Sequence, residues 1–280
     1  MRVRRPTVAG AFYPSQPERL RQQIQSCFTH RLGPGRLPVG AGEESDVVSV
    51  VCPHAGYMYS GPAAAHGYLA LSERRKPETV IVIGPNHTGL GSPVSMMSEG
   101  AWETPLGRVN LDSEVAMAIF NSSGIIDIDE VAFIREHSVE VQVPFLQYIY
   151  GEFKLVPICM GYQDLETSRV VGEAIHEATV GRDVVMVAST DLTHQEPQQS
   201  ANRKDRLVID SWLEMDEGKL QKIIHENRIT TCGYGPVSAT LVASKLKNAR
   251  RVELLSYYTS GDVTGDYGAV VGYAAAKITM

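Results

Sequence analysis

Apolar positions along this chain fall into two alternating patterns. The runs "DVVSVVC" (46–52), "TVIVIG" (79–84), "FKLVPICM" (153–160) and "DVVMVAS" (183–189) are almost continuously apolar and rich in β-branched residues. Such runs predict strands buried on both faces, as in a parallel sheet covered by helices. Between them stand "SQPERLRQQIQSCF", "GPAAAHGYLALSERR", "SEVAMAIF", "SVEVQVPFLQYIY" and "LETSRVVGEAIHEA", which read as helices, the fourth weakened by Pro144. Three more helical stretches are expected between 200 and 247, and "RVELLSYYT" and "AVVGYAAAKI" close the chain as strands. The segment "SPVSMMSEGAWETPLGRVNLD" reads as a hairpin, which makes room for antiparallel strands. The alternation predicts an α/β protein: a three-layer α/β/α sandwich with a largely parallel, mixed central sheet.

Local signals refine this outline. Ser15 and Glu18 fit a capping box for the first helix, with Pro17 in its first turn. The Gly/Pro-rich segment "RLGPGRLPVGAGEES" (31–45) predicts a surface loop. It lies too near the N-terminus to divide two domains, so residues 1–280 are read as one.

Composition narrows the function classes. The 280 residues are 43% hydrophobic and 21% charged, which suits a globular chain and excludes disordered or fibrous types. A formal net charge of −6 argues against a general nucleic-acid surface. No apolar run approaches the roughly 18 residues of a membrane span, and no apolar segment follows "MRVRRP" as a signal peptide would require. A cytoplasmic protein is expected. Cys27, Cys52, Cys159 and Cys232 are far apart, with no CxxC pair, which excludes a zinc ribbon or thioredoxin motif. Cys27 and Cys159 lie in apolar surroundings and are expected to be buried hydrophobes.

Candidate chemistry gathers at the ends of strands. "VVSVVCPH" runs into His54, "TVIVIGPNH" into His87 and "VVMVASTDLTH" into His194. Ligands of open α/β sheets bind beyond the carboxyl ends of the strands, so these three histidines are predicted to converge. Asp191 shares a loop with His194 and can either orient a histidine or cap the next segment. In "TTCGYGP" (230–236), Cys232 precedes a helix whose N-terminus would lower its pKa, as metal binding or nucleophilic attack requires. In "REHSVEVQ", His137 stands near Glu136 and Glu140, and shares a helix face with Glu140 if the segment is helical. That grouping reads equally as a proton relay or as a solvated helix start. His30, His66, His176 and His225 lie in helical runs and are read as structural or exposed.

The blocks "RRPTVAGAFYP", "CPHAGYMYSG", "GPNHTG", "EHSVEVQVPFL", "STDLTH", "TTCGYGP" and "SGDVTGDYGAVVGYA", in this order from residue 4 to 276, resemble the signature blocks of the Memo family. In prokaryotes that family is also called AmmeMemoRadiSam system protein B. The resemblance implies a fold like that of class III extradiol dioxygenases. It implies a metal held by His54, His87 and Cys232, with Fe(II) the first expectation and copper or zinc the alternatives. His194 and Asp191 would line the same cleft, with His194 as general acid/base, aided by Asp191 or His137. A thiolate where the dioxygenases hold a carboxylate is softer and more electron-donating, so ring cleavage does not carry over. A redox role on an unknown small molecule or peptide is implied, alongside radical-SAM and AMMECR-type proteins. Two other readings use the same residues: Cys232 as a nucleophile activated by His194 and oriented by Asp191, and a non-catalytic cleft that binds peptide.

Overall fold

A computed structural model describes residues 2–40, 42 and 45–280. In chain order the first elements are β1 (Val3–Arg4), α1 (Pro17–Thr29), β2 (Val47–Cys52), α2 (Tyr57–Ser72), β3 (Thr79–Pro85) and β4 (Val94–Met96). There follow β5 (Ala101–Thr104), β6 (Gly107–Leu111), α3 (Ser113–Ser123), β7 (Asp127–Ile128), α4 (Val143–Tyr150), β8 (Lys154–Met160) and α5 (Leu165–Ala178). The last are β9 (Val184–Ser189), β10 (His194–Glu196), α6 (Gln198–Leu213), α7 (Glu217–Asn227), α8 (Tyr234–Leu246), β11 (Arg251–Thr259), α9 (Ser260–Thr264) and β12 (Val270–Thr279).

The strands form one mixed sheet of twelve among the described residues. Its centre, β6-β8-β3-β9-β2, is parallel throughout. Antiparallel pairs flank it: β5 with β6 as the expected hairpin, and β12 with β2 and β11. The second edge of β8 is shared, by β6 near Lys154 and by β4 from Ile158, and Pro157 falls at that changeover.

The apolar runs are continuous because both sheet faces are covered. Val80 and Val82 of β3 pack with α1, α2 and α4, through Leu20, Ile24, Phe28, Tyr68 and Phe145. Ile81 and Ile83, pointing the other way, pack with α3, α5 and α8. A third cluster joins Val51 and Ala188 to α6, α7 and α8 around Trp212. Each Val or Ile buried in this way contributes about 1.5–3 kcal/mol relative to exposure. The molecule is therefore the expected α/β/α sandwich, and Cys27 and Cys159 are buried in it.

Two local expectations fail. The helix α1 is capped by Gln16 without a side-chain bond, so the Ser15–Glu18 capping box does not form. Pro17 takes the first helical position, where its fixed φ fits, and this moves the start one residue beyond a Ser15 cap. The "SVEVQVPFLQYIY" segment is a turn, a single 3-10 turn over Glu140–Gln142, and then α4. Pro144 starts that helix instead of weakening a longer one. Of the 31–45 segment, residues 41, 43 and 44 lie outside the described residues, and 31–40 have no helix or strand.

Candidate functional site

The sheet order decides what the strand ends bring together. Because β3, β9 and β2 are neighbours and parallel, their carboxyl ends open on one edge, carrying His87, Asp191 with His194, and His54. Cys232 arrives from the turn before α8. Gly233 makes this approach feasible, since a Cβ there would stand 2.3 Å from the Ser189 carbonyl oxygen at the end of β9. The Gly233 amide donates to Thr190 Oγ1 at 3.0 Å. Gln163, beyond the end of β8, donates to the Cys232 carbonyl at 2.9 Å and accepts from the Gly235 amide at 2.9 Å.

Ring nitrogens of His54 and His87 and the Cys232 sulfur lie within 4.8 Å of one another. The Cys232 Sγ is 3.2 Å from His54 Nε2. His54 is buried, Cys232 half-buried and His87 exposed, so the group is closed on one side and open on the other. Both rings are anchored through Nδ1: His54 to Ser189 Oγ at 2.8 Å, His87 to Glu136 Oε1 at 2.9 Å. Donors on a tetrahedral first-row metal stand about 3.3–3.8 Å apart; one pair here is at 3.2 Å and all three lie within 4.8 Å, so two imidazoles and a thiol are near the spacing such an ion requires. Imidazoles with Nδ1 bonded to a carboxylate or another polar group are the usual metal-ligating arrangement.

Glu136 is fully buried, and its carboxylate collects N–H groups. Oε1 also accepts from the amides of His137 at 2.9 Å and Ser138 at 2.8 Å, and Oε2 accepts from the His87 amide. Burial alone would raise this carboxyl, but the His87 ring and these amides outweigh it and hold the pKa at about 2. The same bonds draw the 137–138 amides out of any helix. His137 and Glu140 therefore do not share a helix face, and Glu140 turns instead to Arg4, Thr7, Val8 and Tyr13. His137 stacks on His87 with ring centroids 4.6 Å apart, and Phe12 covers it at 4.8 Å. Burial and the neighbouring His87 lower His137 to about 4.

Asp191 and His194 share the loop as expected, but with other partners. Asp191 Oδ1 accepts the His54 amide at 2.8 Å, and its own amide points to Cys232 Sγ at 3.2 Å. Burial raises its carboxyl to about 6, against the lowering effect of that amide bond. The His194 ring is held by the Thr230 carbonyl, 2.9 Å from Nδ1, and not by Asp191. Gln195, at φ 58°, makes a bulge where β10 leaves its register with β12, and His194 beside it is half-buried. Cys232 touches His54 and not His194, against the pairing a His194-activated nucleophile would need.

The expected lowering of the Cys232 pKa is reversed. Burial first, and then the charge of Asp191, push this thiol up. Cys232 stands two residues ahead of the first helical residue, Tyr234, where a helix dipole has little reach. Burial likewise drives His54 well below the ordinary histidine value. Nothing in the local sequence pattern distinguishes Ser189, Gln142, Thr230 and Gln163 as residues of the site. His30, His66, His176 and His225 take no part in the group.

The fold and the site define an α/β/α protein that gathers two histidines and a cysteine beyond the ends of its parallel strands. The chain belongs to the Memo-like protein family, whose profile matches residues 4–277. It is 53% identical over 275 residues to a MEMO1 family protein of Methanopyrus kandleri, covering 97% of both chains. A MEMO1 family protein of Methanothermobacter thermautotrophicus is 53% identical over 274 residues, covering 97% of this chain and 99% of that one. One of Methanocaldococcus jannaschii is 48% identical over 286 residues, covering 99% of each. Among solved structures, an uncharacterized protein from Escherichia coli K12 matches with a TM-score of 0.51 and 13% identity, over 82% of this chain and 98% of its own. That likeness is one of fold. No helix among the described residues is long and apolar enough to cross a membrane.

Proposed function

We propose that this chain is a metal-dependent redox protein holding one transition-metal ion between His54 Nε2, His87 Nε2 and Cys232 Sγ. The observation that carries the reading is the anchoring of both rings through Nδ1, which commits their Nε2 atoms to the space beside the sulfur. Fe(II) is the first metal, and copper and zinc also suit two imidazoles and a thiolate. Such an ion, when bound, supplies an open coordination position and, for iron or copper, a one-electron couple.

The residues around it have separate tasks. His194, with Nδ1 committed to Thr230, offers Nε2 to take or give a proton at the substrate. His137 is a second imidazole on the same rim, neutral near pH 7. Asp191 holds the His54 backbone in place. The substrate is a small molecule or peptide that reaches the strand ends. The family resemblance supports a place beside radical-SAM and AMMECR-type proteins in one modification pathway.

Elemental analysis of protein purified anaerobically without added metal tests this. Close to one iron or copper per chain is expected in the wild type, and a large loss in Cys232→Ala. A metal-free wild type, or undiminished metal in the variant, would sink the reading.

A further inference from the structure

Ser189 occupies the last position of β9 and is fully buried. Its hydroxyl touches three groups: the Ser138 carbonyl at 2.7 Å, Gln142 Nε2 at 2.7 Å and His54 Nδ1 at 2.8 Å. A hydroxyl has one proton to donate and two lone pairs to accept with. The directions of these bonds can therefore be worked out from the groups that have no choice.

A backbone carbonyl can only accept, so the Ser189 proton goes to Ser138. Gln142 is fixed in the same way. Its nitrogen lies 3.0 Å from the Pro53 carbonyl, which must receive an N–H, and its oxygen receives the Tyr68 hydroxyl. The other N–H of Gln142 then goes to Ser189. With its proton spent, Ser189 can only accept from His54, and Nδ1 must carry a hydrogen. In a neutral ring this leaves Nε2 bare, and Nε2 is the atom that faces Cys232 Sγ at 3.2 Å.

We infer that Ser189, locked by the Ser138 carbonyl and the Gln142 amide, is the positioning residue that fixes the tautomer of His54 and so makes Nε2 an electron-pair donor toward Cys232. The inference rests on the metal-site reading for its purpose, but the tautomer is a property of the metal-free chain. Ser189 does for His54, with a neutral hydroxyl, what Glu136 does for His87 with a carboxylate. Without Ser189 the Nδ1–H has no acceptor. The opposite tautomer would then gain one, since an Nε2–H can point at the sulfur.

The test is nitrogen NMR on metal-free, full-length protein labelled with ¹⁵N-histidine, with His54 assigned by comparison with His54→Gln. The wild type is expected to show a protonated Nδ1 and a bare Nε2. Ser189→Ala should move the ring toward the Nε2–H tautomer and weaken Co(II) binding by about 10–100-fold, the usual effect of losing such a supporting bond. Ser189→Thr, which keeps the hydroxyl, should restore the wild-type tautomer. An Nε2–H ring in the wild type overturns the inference whether or not Ser189→Ala folds, and so does a Ser189→Ala ring that stays Nδ1–H. A wild type that shows the Nδ1–H ring but takes up no Co(II) would instead overturn the metal reading and leave the tautomer assignment standing.

Discussion

Arg4 and Glu140, 136 residues apart, form an ion pair whose side chains are only 7% and 1% exposed. The Arg4 guanidinium also donates to the carbonyls of Phe133 and Glu136, at 3.1 and 2.6 Å, and lies over the Trp102 ring. Glu140 in turn binds the amides of Thr7 and Val8 and the Tyr13 hydroxyl. The pair thus ties the N-terminal segment, including Phe12 above His137, to the loop that carries Glu136. Breaking a buried pair from one side leaves the other charge uncompensated. Arg4→Met should destabilise the protein by about 3–5 kcal/mol in urea unfolding. Adding Glu140→Leu should not restore stability, because the Thr7, Val8 and Tyr13 donors would lose their acceptor. A double variant as stable as wild type would contradict this account.

The same carboxylate sets an acid limit. Burial would raise Glu140, but the Arg4 charge and the bonds from Tyr13, Thr7 and Val8 prevail and hold it below the usual glutamate value. In the unfolded chain it titrates at about 4.3. Between the two values the unfolded state binds more protons, so stability rises with pH there. The contribution is fully present above the unfolded value and is lost as pH falls through the folded one. Asp112, Asp164, Glu196 and Glu217 are lowered too. The acid limb of unfolding free energy against pH should therefore be shallower in Arg4→Met, not absent. An equally steep limb in the variant would remove Glu140 from the explanation.

Gly233 sets how closely the cysteine turn approaches the sheet. An added Cβ would meet the Ser189 carbonyl oxygen at 2.3 Å and the Thr190 Cβ at 2.7 Å, both parts of the strand end and its loop. Neither can retreat without moving β9. The turn must back away instead and carry Cys232 off His54. Gly233→Ala should cost about 1–3 kcal/mol, as overpacking does, and lower metal content with it. Unfolding midpoints and elemental analysis on the same preparation check both. A variant that matches wild type in both would show that the turn has slack.

These outcomes depend on features that differ in how plainly the sequence declares them. The two-faced strands are written in runs such as "TVIVIG", where Val80 and Val82 serve one core and Ile81 and Ile83 the other. Strand-end chemistry predicts His54, His87 and His194 on one edge, and the family blocks add Cys232 to the first two, the set that the fold gathers. The neighbourhood of β3, β9 and β2 that makes it happen is a property of chain topology, which hydropathy does not encode. Polar partners were less legible. Glu136 serves His87, 49 residues away, and not its neighbour His137, because the turn aims its carboxylate at strand-end amides. Ser189 and Gln142 look like ordinary strand and helix residues until the fold stacks them behind His54. The Cys232 pKa rises where the sequence predicts a fall, since the dipole acts within a turn of the helix while burial acts on the whole thiol.

The sulfur itself offers the most direct test of the donor set. A thiol with a raised pKa is inert alone, but a coordinated cation deprotonates a thiol ligand outright. Co(II) added to metal-free protein should therefore produce a near-ultraviolet thiolate-to-metal charge-transfer band together with visible bands of low coordination number. Cys232→Ser keeps the size of the side chain and the contacts of the turn, including the Gln163 bond to the residue 232 carbonyl. It replaces a soft donor with a hard, weakly acidic one. The charge-transfer band should vanish, and affinity should fall well beyond the change seen on altering a supporting residue. Cys27, Cys52 and Cys159 are buried away from solvent and remain as internal controls. A charge-transfer band that survives Cys232→Ser would assign the cobalt to one of them and refute Cys232 as the ligand.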